Sequence, residues 1–288
     1  MDQRAELSEF LRSRRARLQP SDVGLPDPGN QRRVPGLRRE ELAQVAGVSV
    51  AYYTRLEQGQ GRNVSVEVLD AIARALRLTD TEHAHLTHLA RPRTYAKKRR
   101  AAAAGRTHRL RPGLQLMLDA MDGVPAYAIG RRLDILGWNR LCAALLGDFA
   151  ARPPEERNAA RQVFLDRGAR ELYMDWDAKA VEVVSVLRLY AGCFPDDPKL
   201  TALVGELSVK SEEFRTLWAA HTVMEKGHGT KRLRHPLVGE LTLSYETLTL
   251  PDDPDVSLVV YHAAPDSPSA QSLQLLANWG SEPLPARG

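Results

Sequence analysis

Residues 38–59, RREELAQVAGVSVAYYTRLEQG, constrain this chain more than any other stretch. Apolar residues recur at helical spacing on both sides of Gly47, and Ser49 stands where a side-chain oxygen would cap a second helix. The reading is two short helices, about Arg38–Ala46 and Val50–Gln58, joined by a tight turn. The turn glycine takes a backbone conformation that costs other residues energy. Leu42, Val45, Ala46, Val48, Tyr53 and Leu56 are the expected inward positions, and Ala43 must be small where the helices cross. Gly59 and Gly61 end the second helix.

The outward residues of the second helix are then Val50, Ala51, Tyr52, Thr54 and Arg55. A helix presented this way enters a DNA major groove by its N-terminal end. Arg55 can fork two donors onto guanine, a contact worth about 1–3 kcal/mol of base discrimination. Val50, Ala51 and the Thr54 methyl suit thymine methyls, and Tyr52 suits a phosphate or sugar. With few hydrogen-bonding groups facing the bases, part of the specificity is expected from DNA shape. Arg38 and Arg39 open the first helix, where positive charge opposes the helix dipole. A phosphate approaching there explains them, with plain solvation beside Glu40 and Glu41 as the alternative. Arg62 and Asn63 are further candidates in the following loop.

Charge distribution agrees with a polyanionic partner for the front of the chain. The net charge of the 288 residues is +4. Residues 1–110 carry 21 Lys/Arg against 12 Asp/Glu, and the remainder carries 19 against 24. A basic front and an acidic back point to nucleic acid binding by the front alone.

Residues 2–18 read as a helix with Leu7, Phe10, Leu11 and Leu18 on one face. Residues 19–36 read as a loop. Ser65 is placed to cap a fourth helix, and Thr79 or Asp80 a fifth that runs to about Ala90. Residues 1–92 therefore form an all-α, five-helix domain. Residues 93–112 are a basic linker for which helix and coil both stay open. In residues 113–268, short strands are expected at Tyr127–Ile129 and Asp134–Trp138. Helices follow at about 139–147, 154–167, 175–192, 198–208 and 211–220. Strands are then expected over 233–250 and 256–263, with PDDPD (251–255) as their turn. Residues 269–288 read as a tail with one short helix near Leu273–Trp279.

The first 90 residues resemble the Cro/C1-type (XRE family) helix-turn-helix regulators. The resemblance rests on Glu41, Leu42, Ala43, Gly47, Val48, Ser49, Leu56, Glu57 and Gly59. Arg38 departs from the Ser or Thr cap common there, and the loop 19–36 is long. The resemblance implies a DNA-binding transcription regulator, commonly dimeric. Residues 113–268 resemble the MmyB-like regulator ligand-binding domain, a PAS-like α+β fold with a small antiparallel sheet. RRLDILGWNRLCAALLGD (131–148), ERNAARQVFLD (156–166), ARELYMDWD (169–177), SEEFRTLWAAHTV (211–223) and LRHPLVGELTLSYETL (233–248) carry it. This resemblance implies a pocket for a small, fatty-acid-like ligand.

Candidate ligand-lining residues are Tyr127, Trp138, Phe164, Trp176, Leu217 and Trp218, with Asn139 and His221 as polar anchors. Arg157 and His235 are further polar candidates. Each aromatic also suits a plain core, and each polar group also suits local backbone bonding. No metal site or cofactor is expected. His83, His85 and His88 lack a carboxylate or thiol partner in sequence and read as a solvated helix face. Asp175 and Asp177 read as favourable acids at a helix start. Cys142 and Cys193 read as buried thiols in a reducing compartment. No apolar run of about 18 residues is present, and MDQRAELSEF carries no apolar signal region, so a cytoplasmic protein is expected. The expectation is a homodimeric, DNA-binding regulator responding to a small apolar ligand. An adaptor whose back half docks a protein, or an enzyme domain behind a DNA-binding headpiece, stays open at this point.

Overall fold

The computed structural model describes residues 3–26, 36–60, 64–91, 110–225 and 227–279. The chain divides into two compact units. The first comprises residues 1–104, 188–205 and 216–225; the second comprises 105–187, 206–215 and 226–288.

Five helices build most of the first unit: α1 (Gln3–Arg17), α2 (Arg39–Ala46), α3 (Val50–Glu57), α4 (Val66–Ala75) and α5 (Asp80–Ala90). Each start is set locally. The Ser49 side chain accepts from the Tyr52 backbone N–H, Ser65 from Val68, and Thr79 from Glu82. At α2 no hydroxyl is present, and Glu41 serves instead: its carboxylate accepts the Arg38 N–H at 2.7 Å. That answers the missing Ser/Thr cap, since a carboxylate in the first turn satisfies a free donor and suits the dipole. Gly47 ends α2 with φ +66°, and Gly59 follows α3 with φ +72°. The core joins Leu7, Phe10, Leu11, Leu37, Leu42, Tyr53, Leu56, Leu69, Ile72 and Leu86. Val223, from far along the chain, belongs to the same core. Residues 27–35, 61–63 and 92–109, which include most of the expected linker 93–112, lie outside the described residues.

The second unit is a mixed layer of helices and one antiparallel sheet. Its strands are β1 (Ala126–Gly130), β2 (Ile135–Trp138), β3 (His228–His235), β4 (Gly239–Leu250) and β5 (Asp253–His262), in the order β2-β1-β5-β4-β3. A helix the sequence reading lacked, α6 (Pro112–Asp119), precedes β1. Its Leu118 packs with Ala126, Ala128 and Leu258 in one cluster. The alternate residues Tyr127, Val259 and Tyr261 are also buried, so β1 is covered on both faces. This explains why β1 reads as a continuous apolar run rather than an alternation.

Helices α7 (Arg140–Leu146), α8 (Ala159–Leu165), α9 (Arg167–Leu172) and α10 (Trp176–Cys193) follow β2. After them come α11 (Pro198–Lys210), α12 (Glu212–Ala219) and the final α13 (Pro268–Trp279). The single helix expected at 154–167 is a 3-10 turn at Pro154–Glu156 followed by α8 and α9. The Asn158 side chain restarts the helix by accepting from Ala160 and Arg161, and Asp166 restarts it again by accepting from Gly168. Strand β3 begins five residues before the expected Leu233, because HGTKR pairs along its length with β4 despite its polarity. The turn before β5 is shorter than 251–255, since Leu250 already faces Asp253. The helix expected near Leu273 begins at Pro268 and lies on β4 and α7.

Candidate nucleic-acid interface

The α2–α3 elbow has the expected inside and outside. Leu42, Ala43, Ala46, Tyr53 and Leu56 are buried, while Val45 and Val48 pack half-buried against the same core. Outward on α3, Val50 is 46% exposed, Ala51 and Arg55 are exposed, and Tyr52 and Thr54 are half-buried. Tyr52 leans on the core through its ring. The Arg55 side chain has no hydrogen bond or ion pair among the described residues. A valine, an alanine and a threonine methyl therefore share a solvent-facing surface with one uncommitted guanidinium. Ser49, at the head of that surface, is occupied as the cap of α3. Arg62 and Asn63 lie outside the described residues.

Arg38 and Arg39 are both exposed at the start of α2. Arg38 has Glu40 at 3.7 Å, a loose surface pair. Arg39 is committed further: its Nε lies 3.1 Å from Glu57, which is 1% exposed. Arg15 of α1 binds the same carboxylate and also donates to the Leu37 carbonyl at 2.6 Å. Burial raises the Glu57 pKa, but the hydrogen bond and charge of Arg15, joined by Arg39, outweigh it and hold the carboxyl below its usual range. Glu57 thus ties α1, the start of α2 and the end of α3 at one point.

The candidate ligand residues fall in separate places. Leu217, Trp218 and His221 belong to the first unit. In the second, Phe164 meets Trp176 edge-on at 5.8 Å and Phe214 at 5.1 Å. Trp176 donates its indole N–H to the Val163 carbonyl. Trp138 packs on Phe149, with the Arg157 guanidinium 5.4 Å over its ring. Tyr127 stacks on Tyr261. Asn139 accepts from Ala126 and Cys142 and donates to the Met121 and Val124 carbonyls, so all its bonding capacity is used. Arg157 donates to three carbonyls, and His235 bonds the Ala144 carbonyl. Asp175 forms a two-point pair with Arg232 in addition to opening α10.

One group escaped the sequence reading. Lys179 and Glu182 on α10 are both buried and paired at 2.9 Å, with Lys231 on the other Glu182 oxygen. Tyr173, Tyr245 and Tyr261 surround them, and burial pushes all three phenols up. The available signal was residues 178–193: three charges, Lys179, Glu182 and Arg188, in a segment apolar on every side. Such a helix is buried all round, so its charges must find partners inside.

The three histidines of α5 do not form a solvated face. His85 is 1% exposed, edge-on to Phe10 at 5.0 Å, and burial lowers its pKa to about 3. The expected solvated face does not include it, because its packing partners lie far away in sequence. His88 Nδ1 lies 3.2 Å from Cys193 Sγ, while His83 pairs with Asp70. Neither cysteine is in a disulfide; Cys142 is buried as expected, while Cys193 is half-buried.

Residues 110–276, more than half of the chain, match the MmyB-like transcription regulator ligand binding domain, and the chain belongs to that family. Residues 6–86 match a helix-turn-helix domain. The pair of domains is that of a ligand-modulated transcription regulator. No curated protein matches the chain. Among the described residues no helix is long and apolar enough to cross a membrane.

Proposed function

We propose that this member of the MmyB-like regulator family is a cytoplasmic, homodimeric protein that reads a specific duplex DNA sequence through α3. The supporting observation is the outer face of α3, apolar groups plus the uncommitted Arg55, on an elbow whose every inward position is filled. Arg55 reads a guanine; Val50, Ala51 and Thr54 meet thymine methyls; Tyr52, Arg38 and Arg39 meet the backbone. Arg62 and Asn63 extend that backbone contact. The helical domain ends near residue 92, and the domain from about residue 113 to 268 holds the ligand and the dimer contact.

For the ligand we propose a small apolar, fatty-acid-like molecule in the second unit, against residues among Tyr127, Trp138, Phe164 and Trp176. The family match and the aromatic interior support this reading; Asn139, fully used by backbone, serves as architecture instead.

The experiment is selection of duplexes from a random pool by the full chain. Two enriched half-sites about one helical turn apart are expected. Recovery of duplexes without any shared sequence contradicts the reading. Solvent extraction and mass spectrometry of protein purified from its host tests the ligand.

A further inference from the structure

We infer that the DNA-reading unit is completed by two segments of the ligand-binding half, and that the group Glu6–Arg188–His221, centred on the buried Arg188, is the seam through which that half sets DNA affinity. The inference rests on the DNA-reading function proposed above and goes beyond it in naming where regulation acts.

Residues 188–205 and 216–225 lie inside the matched ligand-binding region, yet they are part of the first compact unit. Their contacts with α1 and α5 are specific. Arg188, 1% exposed, places Nη1 2.5 Å from Glu6 Oε2 and 3.0 Å from His221 Nδ1. Its Nη2 donates to the Trp218 carbonyl, and its guanidinium lies 4.1 Å over the Trp218 ring. Arg14, equally buried, donates to the His221 carbonyl at 2.7 Å and pairs with Glu82 of α5 at 2.9 Å. Arg17 donates to the Ala220 carbonyl and to Thr222. His221 itself sits at φ +51°, a conformation that persists in a non-glycine residue only where its surroundings hold it. A Cβ at Gly192 of α10 would lie 2.4 Å from the ring of His85 on α5.

Packing alone does not call for these groups. A buried guanidinium is costly to desolvate, and apolar residues of similar volume often hold a protein together as well or better. What a buried ionic seam adds is a fixed geometry that either fits or breaks. Helix α1 carries the seam on Glu6, Arg14 and Arg17 and, through Arg15, the pair that anchors the end of α3. The outer face of α3 is left exposed, so the seam acts on how α1 supports α3 and not by covering the reading surface. Arg188 follows Lys179 and Glu182 on the same helix, α10, and a helix transmits displacement along its length.

The test uses the full chain and the duplex it selects. If the seam sets DNA affinity, DNA must perturb the seam to the same extent. Hydrogen exchange in residues 188–205 and 216–225 should then change at least about fivefold on saturation with duplex. E6Q and R188M should each shift the duplex Kd at least about fivefold, and the double variant should add little to either. R161M, which breaks the Arg161–Glu206 pair of the second unit, should leave Kd unchanged. If R188M does not fold, E6Q, on a half-buried side chain, and the exchange measurement decide. Unchanged exchange together with Kd within twofold in folded E6Q overturns the inference. If the wild-type chain selects no duplex, the DNA reading falls and this inference with it; if duplex binds while the seam stays silent, only this inference falls.

Discussion

Arg15 of α1 and Glu57 at the end of α3 form a two-point ion pair, Nε to Oε2 at 3.0 Å and Nη2 to Oε1 at 2.9 Å. Glu57 is almost completely buried and Arg15 nearly so. Removing one partner of such a pair leaves the other charge buried and uncompensated, at a cost of about 3–5 kcal/mol. E57A should therefore destabilise the full chain by about 3 kcal/mol in chemical denaturation, and E57Q by less. Both should weaken duplex binding, since α3 loses its anchor.

The two glycines flanking α3 should respond differently to alanine. A Cβ at Gly47 meets open space, so G47A bears only the strain of its positive φ, about 1–2 kcal/mol. At Gly59 a Cβ would lie 2.7 Å from the Arg4 carbonyl oxygen, so G59A bears strain and a backbone clash. Denaturation midpoints should fall further for G59A, and G47N should recover part of the G47A loss.

Arg38 and Arg39 separate by their partners. R38A should weaken binding to all duplexes alike and lower the slope of log K against log salt by about 1. R39A should do the same and also lower stability, because Arg39 is held by Glu57. Filter binding across a salt series, with parallel denaturation curves, distinguishes the two.

Acid should destabilise the fold from near neutrality downward. Burial depresses the His85 pKa from 6.5 to about 3, so the unfolded chain takes up a proton across that interval while the folded chain does not. His221 behaves alike, depressed by burial and then Arg188 to about 4. Stability is complete above pH 6.5 and falls toward pH 3, by at most about 1.4 kcal/mol per pH unit for each histidine. Glu57, depressed by its arginines, withdraws its share only at lower pH, as it protonates in the folded state. Thermal unfolding between pH 8 and 4 should show a flat region and then a decline that H85L makes shallower.

The front elbow was legible because its signals are local. Ser49, Gly47 and the helical spacing of Leu42, Tyr53 and Leu56 each act within a few residues, and the exposed set on α3 follows from them. Glu41 as the cap of α2 lay equally near in sequence but was hidden by the expectation of a hydroxyl. Long-range pairing was not legible. Glu6 and Arg188 stand 182 residues apart, and nothing in either neighbourhood marks the other. The strand in HGTKR is masked by its own polarity, although its partner β4 is the next strand, whereas the burial of His85 depends on partners far off in sequence, Phe10 and Gly192.

The most direct test of the central claim is the ratio of Kd for random duplex to Kd for the selected duplex, measured at one salt concentration for wild type and R55A. R55A should lose about 1–3 kcal/mol of discrimination, a drop in that ratio of roughly five- to 150-fold, with random-duplex affinity little changed. An R55A ratio equal to that of the wild type, in a protein with an unaltered unfolding curve, contradicts it.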